Sequence, residues 1–449
     1  MDNLSQKKFA LVLSGGGARG AYEAGVLHYL RSQAETDPVF ARRFDIITGA
    51  SVGAINACFM ASTAHNVKYQ ARRIFEIWRE LKQENIYKRD VSTLAKFMSR
   101  SLTAIVRNLF RKQGSIREFH NNQKHFTGLF NTAPLFQFLQ NVIPWKQIPL
   151  NLEQGCLDAL CLSTTQVTSG NIELFIEKKN SITYTGHYVW HDTKIAAAHA
   201  IASAAIPLIF PTVKIGNFHY MDGGLRQNTP LSPAIQLHAD KILVIGPHDR
   251  TESALPSHDK KVKLKWRLES YLADAAKNQI DNAEIQTAAE ADPSLGLVFG
   301  KVLNSIFLDK LDYDIEQMER INRIIEWGEG RFGKTFLNEI NQHIAEKNIT
   351  GDIANRGLKR LEVLEISPST DIRTIFAESV DRKDFFKTEL TSFEKTLLKI
   401  LDVDLSTGKD FLSFILFYPQ YLEKLLELGY NDAKARHEDL RKFLTPARV

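Results

Sequence analysis

The sequence predicts an α/β protein, and three stretches carry that prediction. Phe9–Leu13 is a continuous apolar run that ends in Ser14-Gly15-Gly16-Gly17-Ala18-Arg19-Gly20. It then passes into helical spacing at Ala21, Ala24, Val26, Leu27 and Leu30. Residues 44–56 repeat the plan: a short apolar run, a turn at Ser51 framed by Gly49 and Gly53, and an alanine-rich helical stretch. Lys241–Ile245 is a third buried run, preceded by a helical segment over 230–239. Strands alternating with helices are the mark of that fold class.

The remaining elements follow in chain order. Ile74, Phe75, Ile77, Trp78 and Leu81 predict an amphipathic helix over 67–81. The most basic segment comes next. Val91, Leu94, Ala95, Met98, Leu102, Ile105 and Leu109 fall on one helical face, and Lys96, Arg100, Arg107 and Arg111 on the opposite one. Such a helix packs on the core with a solvated basic face, or lies on an anionic membrane or over an active site. Residues 128–143 read as a loop and short helix, with Thr132 as N-cap and Pro134 in the first turn. Two β-rich runs, 157–165 and 172–177, flank the turn Thr168-Ser169-Gly170-Asn171. An alanine-rich helix over 195–205 ends at Ile206-Pro207, and short strands at 213–215 and 218–221 flank Gly216-Asn217. A polar linker with Pro256 precedes a helical stretch over 262–347, broken at Pro293 and around 328–333. Residues 361–366 return to strand-like character. The aromatic segment 411–430 reads as a docked terminal helix pair or, less simply, an interfacial anchor.

Composition narrows the class. With 449 residues, 44% hydrophobic and 24% charged, the chain has the balance of a soluble globular protein. A net charge of +5 over this length is mild: it favours anionic surfaces and does not call for nucleic acid. Cys58, Cys156 and Cys161 are odd in number and lack paired metal-ligand spacing, which predicts reduced thiols in a cytoplasmic setting and no bound metal. The longest apolar segment, 195–210, is broken by His199 and Pro207 and falls short of the roughly 18–20 residues a span requires. Any membrane contact is therefore expected to be peripheral.

Two glycine turns carry the chemistry. A strand entering a helix through Gly15, Gly16 and Gly17 aims backbone N–H groups and a positive dipole end at an anion. A P-loop would need Gly-Lys-Ser/Thr, which Ala18-Arg19-Gly20 does not supply. Gly15, Gly17 and Gly20 match a dinucleotide fingerprint, but the downstream acids Glu35 and Asp37 precede Pro38 instead of ending a second strand. The third use is an oxyanion hole. Around Ser51, Gly49-Ala50-Ser51-Val52-Gly53 has the form of a nucleophile elbow, in which flanking glycines let a strained serine rise clear of the backbone. A serine nucleophile needs a base. Asp222, before Gly223 and Gly224, is one candidate; His248, in a Ser-Asp-His order, is the other.

Read together, the loop Gly15–Gly20, the elbow at Ser51 and Asp222-Gly223-Gly224, in that order and each at a strand end, resemble the patatin-like phospholipase family. Similar linking segments are 164–170, Ala202-Ser203-Ala204-Ala205-Ile206-Pro207, Phe210-Pro211 and Asn228-Thr229-Pro230-Leu231. The resemblance covers about 7–247 and implies a three-layer α/β/α fold around a mainly parallel sheet. It further implies a cofactor-free serine hydrolase of lipid degradation. Ser51 is then the nucleophile and Asp222 the general base, with no catalytic histidine, and Gly15, Gly16, Gly17 and Arg19 form the oxyanion loop, Arg19 also favouring an anionic head group. Ser14 departs from the aspartate of plant members, and Gly224 stands where other members have alanine. The expected organisation is a catalytic domain over 7–247, a linker over 248–260, a helical insertion over 261–357, and over 358–449 a strand returning to the sheet with C-terminal helices. Phospholipid or another acyl ester is the expected substrate. The alternatives are an acyltransferase or thioesterase sharing the acyl-enzyme, a dinucleotide-binding oxidoreductase, and a non-catalytic membrane scaffold.

Overall fold

The structure is a computed structural model that describes residues 7–87, 130–207, 209–247, 311–346, 357–380 and 409–446. Its centre is a nine-stranded sheet. β1 (Phe9–Leu13) lies inside it, with β2 (Ile46–Ala50) and β3 (Ala159–Gln166) to one side and β8 (Lys241–Ile245) and β9 (Glu362–Ile366) to the other. These five strands are parallel. Beyond β3 the sheet turns antiparallel at β4 (Ile172–Lys178), and β5 (Val189–Asp192) adds to β4 in parallel. A hairpin of β6 (Val213–Ile215) and β7 (Phe218–Asp222) pairs through β7 with the last residues of β3.

The unbroken apolar character of β1 follows from burial on both faces. Phe9, Leu11 and Leu13 enter one core while Ala10 and Val12 enter the other, as the two-residue period of a strand requires. On the first face lie α1 (Gly20–Ser32), α2 (Val52–Ser62), α3 (Val67–Glu80) and the helices Lys409–Ile415 and Pro419–Ala435. The second face is covered by the helix Leu231–Gln236 and by Met318 and Ile315 of the helix Leu311–Phe332. The predicted three-layer arrangement with a mainly parallel sheet is the one observed.

Segment 411–430 is docked. Phe411, Leu412, Tyr421, Leu422, Leu425 and Leu426 are buried, and the helix Pro419–Ala435 crosses α1 at backbone distance. A Cβ added to Gly429 would lie 2.1 Å from the Tyr22 carbonyl oxygen, and one added to Gly25 would lie 2.1 Å from that of Leu426. Gly429→Val is therefore expected to force the helices apart and cost about 1–3 kcal/mol, read as a lower midpoint in calorimetry.

The alanine-rich helix is shorter than its composition predicts. It spans Ala197–Ser203, with Ala204 as its C-cap, and the chain leaves the helix before Ile206-Pro207. No helix among the described residues is long and apolar enough to cross a membrane. The basic run 91–112, the 248–260 linker, His248 and residues 261–310 lie outside the described residues.

Candidate active site

The strand order reverses its direction of growth at β1, with β2 on one side and β8 on the other. In open α/β sheets a crevice opens at the carboxyl ends of strands at such a point. Both glycine turns leave the sheet there.

Ser51 follows β2 directly and caps α2 with φ 53 and ψ −128, a strained backbone for a residue with a side chain. Its neighbours explain the two glycines. A Cβ at Gly49 would lie 2.4 Å from the Gly53 carbonyl oxygen, and one at Gly53 would lie 2.4 Å from that of Leu13. The turn is held from outside as well: the Ser51 N–H donates to Ser203 Oγ at 3.0 Å, and Ser203 Oγ donates to the Ser163 carbonyl at 2.7 Å. Ser203→Ala is expected to destabilise the protein by about 1–3 kcal/mol and to slow labelling of Ser51 by a fluorophosphonate, measured by melting and by gel-based labelling rates.

Asp222 ends β7, opposite Thr164 of β3. Its N–H donates to the Ala205 carbonyl at 3.0 Å, and its own carbonyl accepts from Thr165 Oγ1 at 2.9 Å. The side chain is fully buried, and each carboxylate oxygen meets one donor. Ser51 Oγ donates to Oδ2 at 2.7 Å, and the Gly224 N–H donates to Oδ1 at 2.7 Å. Burial pushes the carboxyl up to about 7, against the opposing pull of the Ser51 and Gly224 donors.

The third part is the loop after β1. Gly17 has φ +57, and a Cβ on Gly15 would lie 2.9 Å from the Ser51 Cβ, so the loop packs directly on the elbow. Ser14 anchors it. Its N–H donates to Glu23 Oε1 at 2.9 Å and to the Ile245 carbonyl at 3.2 Å, while its hydroxyl hydrogen-bonds Thr229 Oγ1 at 2.7 Å. Glu23 is buried beneath the loop and also accepts from Asn56 Nδ2 of α2 at 2.9 Å, joining loop and elbow helix. Burial raises its carboxyl well above the usual range.

Two members of the predicted oxyanion set are otherwise engaged. The Gly15 N–H donates to the Asn228 carbonyl at 3.0 Å, and the Arg19 N–H donates to that of Gly16 at 3.1 Å. The Arg19 side chain is buried instead of facing a head group, with its guanidinium against Ser413 and Phe414. Among the described residues, the N–H groups of Gly16 and Gly17 donate no hydrogen bond. Gly20 opens α1, and Gly223 opens the single helical turn Gly223–Leu225 that follows Asp222. The acids of the dinucleotide reading do not reach the loop: Asp37 caps a turn before β2 by accepting from the Val39 N–H at 3.0 Å.

A family model described as patatin-like phospholipase matches residues 11–235, half of the chain. The chain belongs to the patatin-like phospholipase family. It is, with that family, a lipid-hydrolysing enzyme of the serine type. No curated protein matches it significantly. Three solved structures are similar in fold. VipD from Legionella pneumophila is 13% identical with a TM-score of 0.29, covering 95% of this chain and 91% of its own. Human GIVD cytosolic phospholipase A2, in complex with methyl γ-linolenyl fluorophosphonate, is 12% identical with a TM-score of 0.38; the match covers 99% of this chain and 59% of that one. ExoU, in its complex with SpcU from Pseudomonas aeruginosa, is 13% identical with a TM-score of 0.27, covering 91% and 75%. At these scores the three bear on neither site nor substrate.

Beside Ser51 opens a cavity. Its walls are almost entirely apolar, among them Val52, Ile55, Phe59, Ile74, Trp78 and Phe138. An apolar lining of this kind offers contact to a hydrocarbon chain and leaves the polar work to the residues at its edge. Sequence reasoning set the similar segments at Ser203, Asn228 and Thr229 beside the motifs without a role for them; the hydrogen bonds to Ser51, Gly15 and Ser14 supply it. Glu23 and Asn56 carried no signal beyond helical spacing.

Proposed function

We propose that this patatin-like protein hydrolyses acyl esters of phospholipids or lysophospholipids, with Ser51 as nucleophile and Asp222 as its general base. The observation that carries the reading is the 2.7 Å hydrogen bond to the buried Asp222 carboxyl from the hydroxyl of Ser51, a residue that lines an apolar cavity. Ser51 Oγ attacks the ester carbonyl carbon as Asp222 Oδ2 takes its proton. The carbonyl oxygen becomes an oxyanion, for which the Gly16 and Gly17 N–H groups are the open donors. As the tetrahedral species collapses, Asp222 returns the proton to the departing alcohol. Water then attacks the acyl-enzyme, giving its proton to Asp222, and Ser51 leaves re-protonated with release of the fatty acid. A carboxyl near pH 7 suits both directions of transfer, since neither its acid nor its base form is scarce at neutrality.

Release of free fatty acid from phospholipid vesicles, together with covalent labelling by a fluorophosphonate, tests this reading. Faster transfer of the acyl group to an added alcohol or thiol than to water would replace hydrolase by transferase. Bound flavin or nicotinamide absorbance without labelling would overturn it. The opposed faces of the 91–112 sequence support peripheral contact with anionic membranes. Vesicle sedimentation is expected to rise with anionic lipid and fall with salt; equal binding to neutral vesicles would remove the electrostatic part.

A further inference from the structure

The helix Lys409–Ile415 lies far outside the matched 11–235 region, yet it is built onto the glycine loop. The contact is close at two points. The Phe414 carbonyl oxygen sits where a Cβ on Gly17 would come within 2.2 Å of it, so the loop backbone rests on the helix backbone. Beside it, Arg19 Nε and Nη2 donate to Ser413 Oγ at 3.1 and 2.6 Å, and the guanidinium lies 3.9 Å from the centre of the Phe414 ring. Ser413 is fully buried, and its carbonyl accepts from Tyr421 Oη at 3.2 Å. Tyr421 belongs to the helix that crosses α1 at Gly25 and Gly429, so the segment is tied down on both sides. Phe414 and Phe417 then line the same cavity as Ser51, Val52 and Trp78.

We propose that Phe414 and Phe417 are specificity-determining residues for the acyl group, and that the Arg19–Ser413 contact is a positioning device that keeps the glycine loop in register with the wall they form. The inference rests on the acyl-hydrolase reading and deepens it. An aromatic wall contributes contact with each methylene it touches, so it discriminates between chain lengths; a purely structural pair would not. The basic position of the glycine loop has a corresponding role here. Its charge is directed inward, to hydrogen bonds and a ring face that fix the backbone of Gly17, two residues before it.

The test compares kcat/KM on butyryl and palmitoyl esters of one alcohol. Phe414→Ala and Phe417→Ala are expected to lower the palmitoyl-to-butyryl ratio about tenfold, and Phe414→Leu and Phe417→Leu, which keep most of the core volume, to lower it less but in the same direction. Equal losses on both esters would overturn the specificity role. Ser413→Ala is expected to lower kcat on the butyryl ester about tenfold with KM unchanged, because the loop shifts while the short chain still binds. An unchanged kcat, or a change in KM alone, would overturn the positioning role whatever the melting temperature does. Wild-type protein that turns over neither ester and resists fluorophosphonate would sink the hydrolase reading and this inference with it. Wild-type turnover with an unmoved chain-length ratio in all four phenylalanine variants would sink the inference alone.

Discussion

Replacing Ser51 with alanine is expected to abolish acyl-ester hydrolysis and fluorophosphonate labelling while leaving the fold intact. The fall should be of the order of 10⁴- to 10⁶-fold, the range seen when the nucleophile of a serine hydrolase is removed and only binding and the oxyanion donors remain. The hydroxyl is the only part of Ser51 that the substitution deletes. Its strained φ of 53 and its N–H bond to Ser203 persist, and alanine relieves none of the crowding at Gly49 and Gly53. One side effect is expected at Asp222: without the Ser51 donor, the buried carboxyl keeps only the Gly224 N–H, and its pKa should rise further. Labelling that survives Ser51→Ala would refute the assignment.

Asp222→Asn is expected to lower turnover by about 10²- to 10⁴-fold, the contribution of a positioned general base, and to flatten the pH profile. In the wild type, the rate should rise about tenfold per pH unit below the carboxyl's pKa and level off above about 7, as the base form fills. The same shift acts on stability with a definite sign. Burial raises the folded-state pKa from 3.8 to about 7, so the folded protein binds more protons than the unfolded chain between those values. The contribution of Asp222 to stability is therefore fully present below pH 4 and is lost as pH rises through 7. Asparagine does not titrate. The melting temperature of Asp222→Asn relative to wild type should accordingly climb between pH 4 and 8. A gap that stays constant with pH would remove the ionisation argument.

Much of the fold is legible because local chemistry and burial agree. β1, β2 and β8 are covered on both faces, so Phe9–Leu13 and residues 242–245 are apolar without interruption, β2 is broken only by Thr48, and all three stand out from the chain. β5 is the opposite case. Val189 and Trp190 at the sheet edge are exposed, and Val-Trp-His-Asp carries neither continuous nor alternating burial to mark it. The helix Ala197–Ser203 reads two residues long at each end because alanine favours helix whether or not the chain continues in one, and the choice of end was made by packing around Ala204 and Ala205.

By itself, the sequence determined where the two sharp turns must fall. Only glycine tolerates the backbone contacts at Gly49 and Gly53 or the left-handed Gly17, and these needs leave a mark within a few residues. It also placed a strand end at Asp222. Tertiary structure alone decided which groups these turns meet. That Ser51 Oγ reaches Asp222, 171 positions away, that Ser203 and Asn228 hold the elbow and the loop, and that Arg19 turns inward to a helix nearly 400 residues downstream are long-range pairings. They depend on strand order and on which helices share a face of the sheet, and no local pattern of residues encodes either.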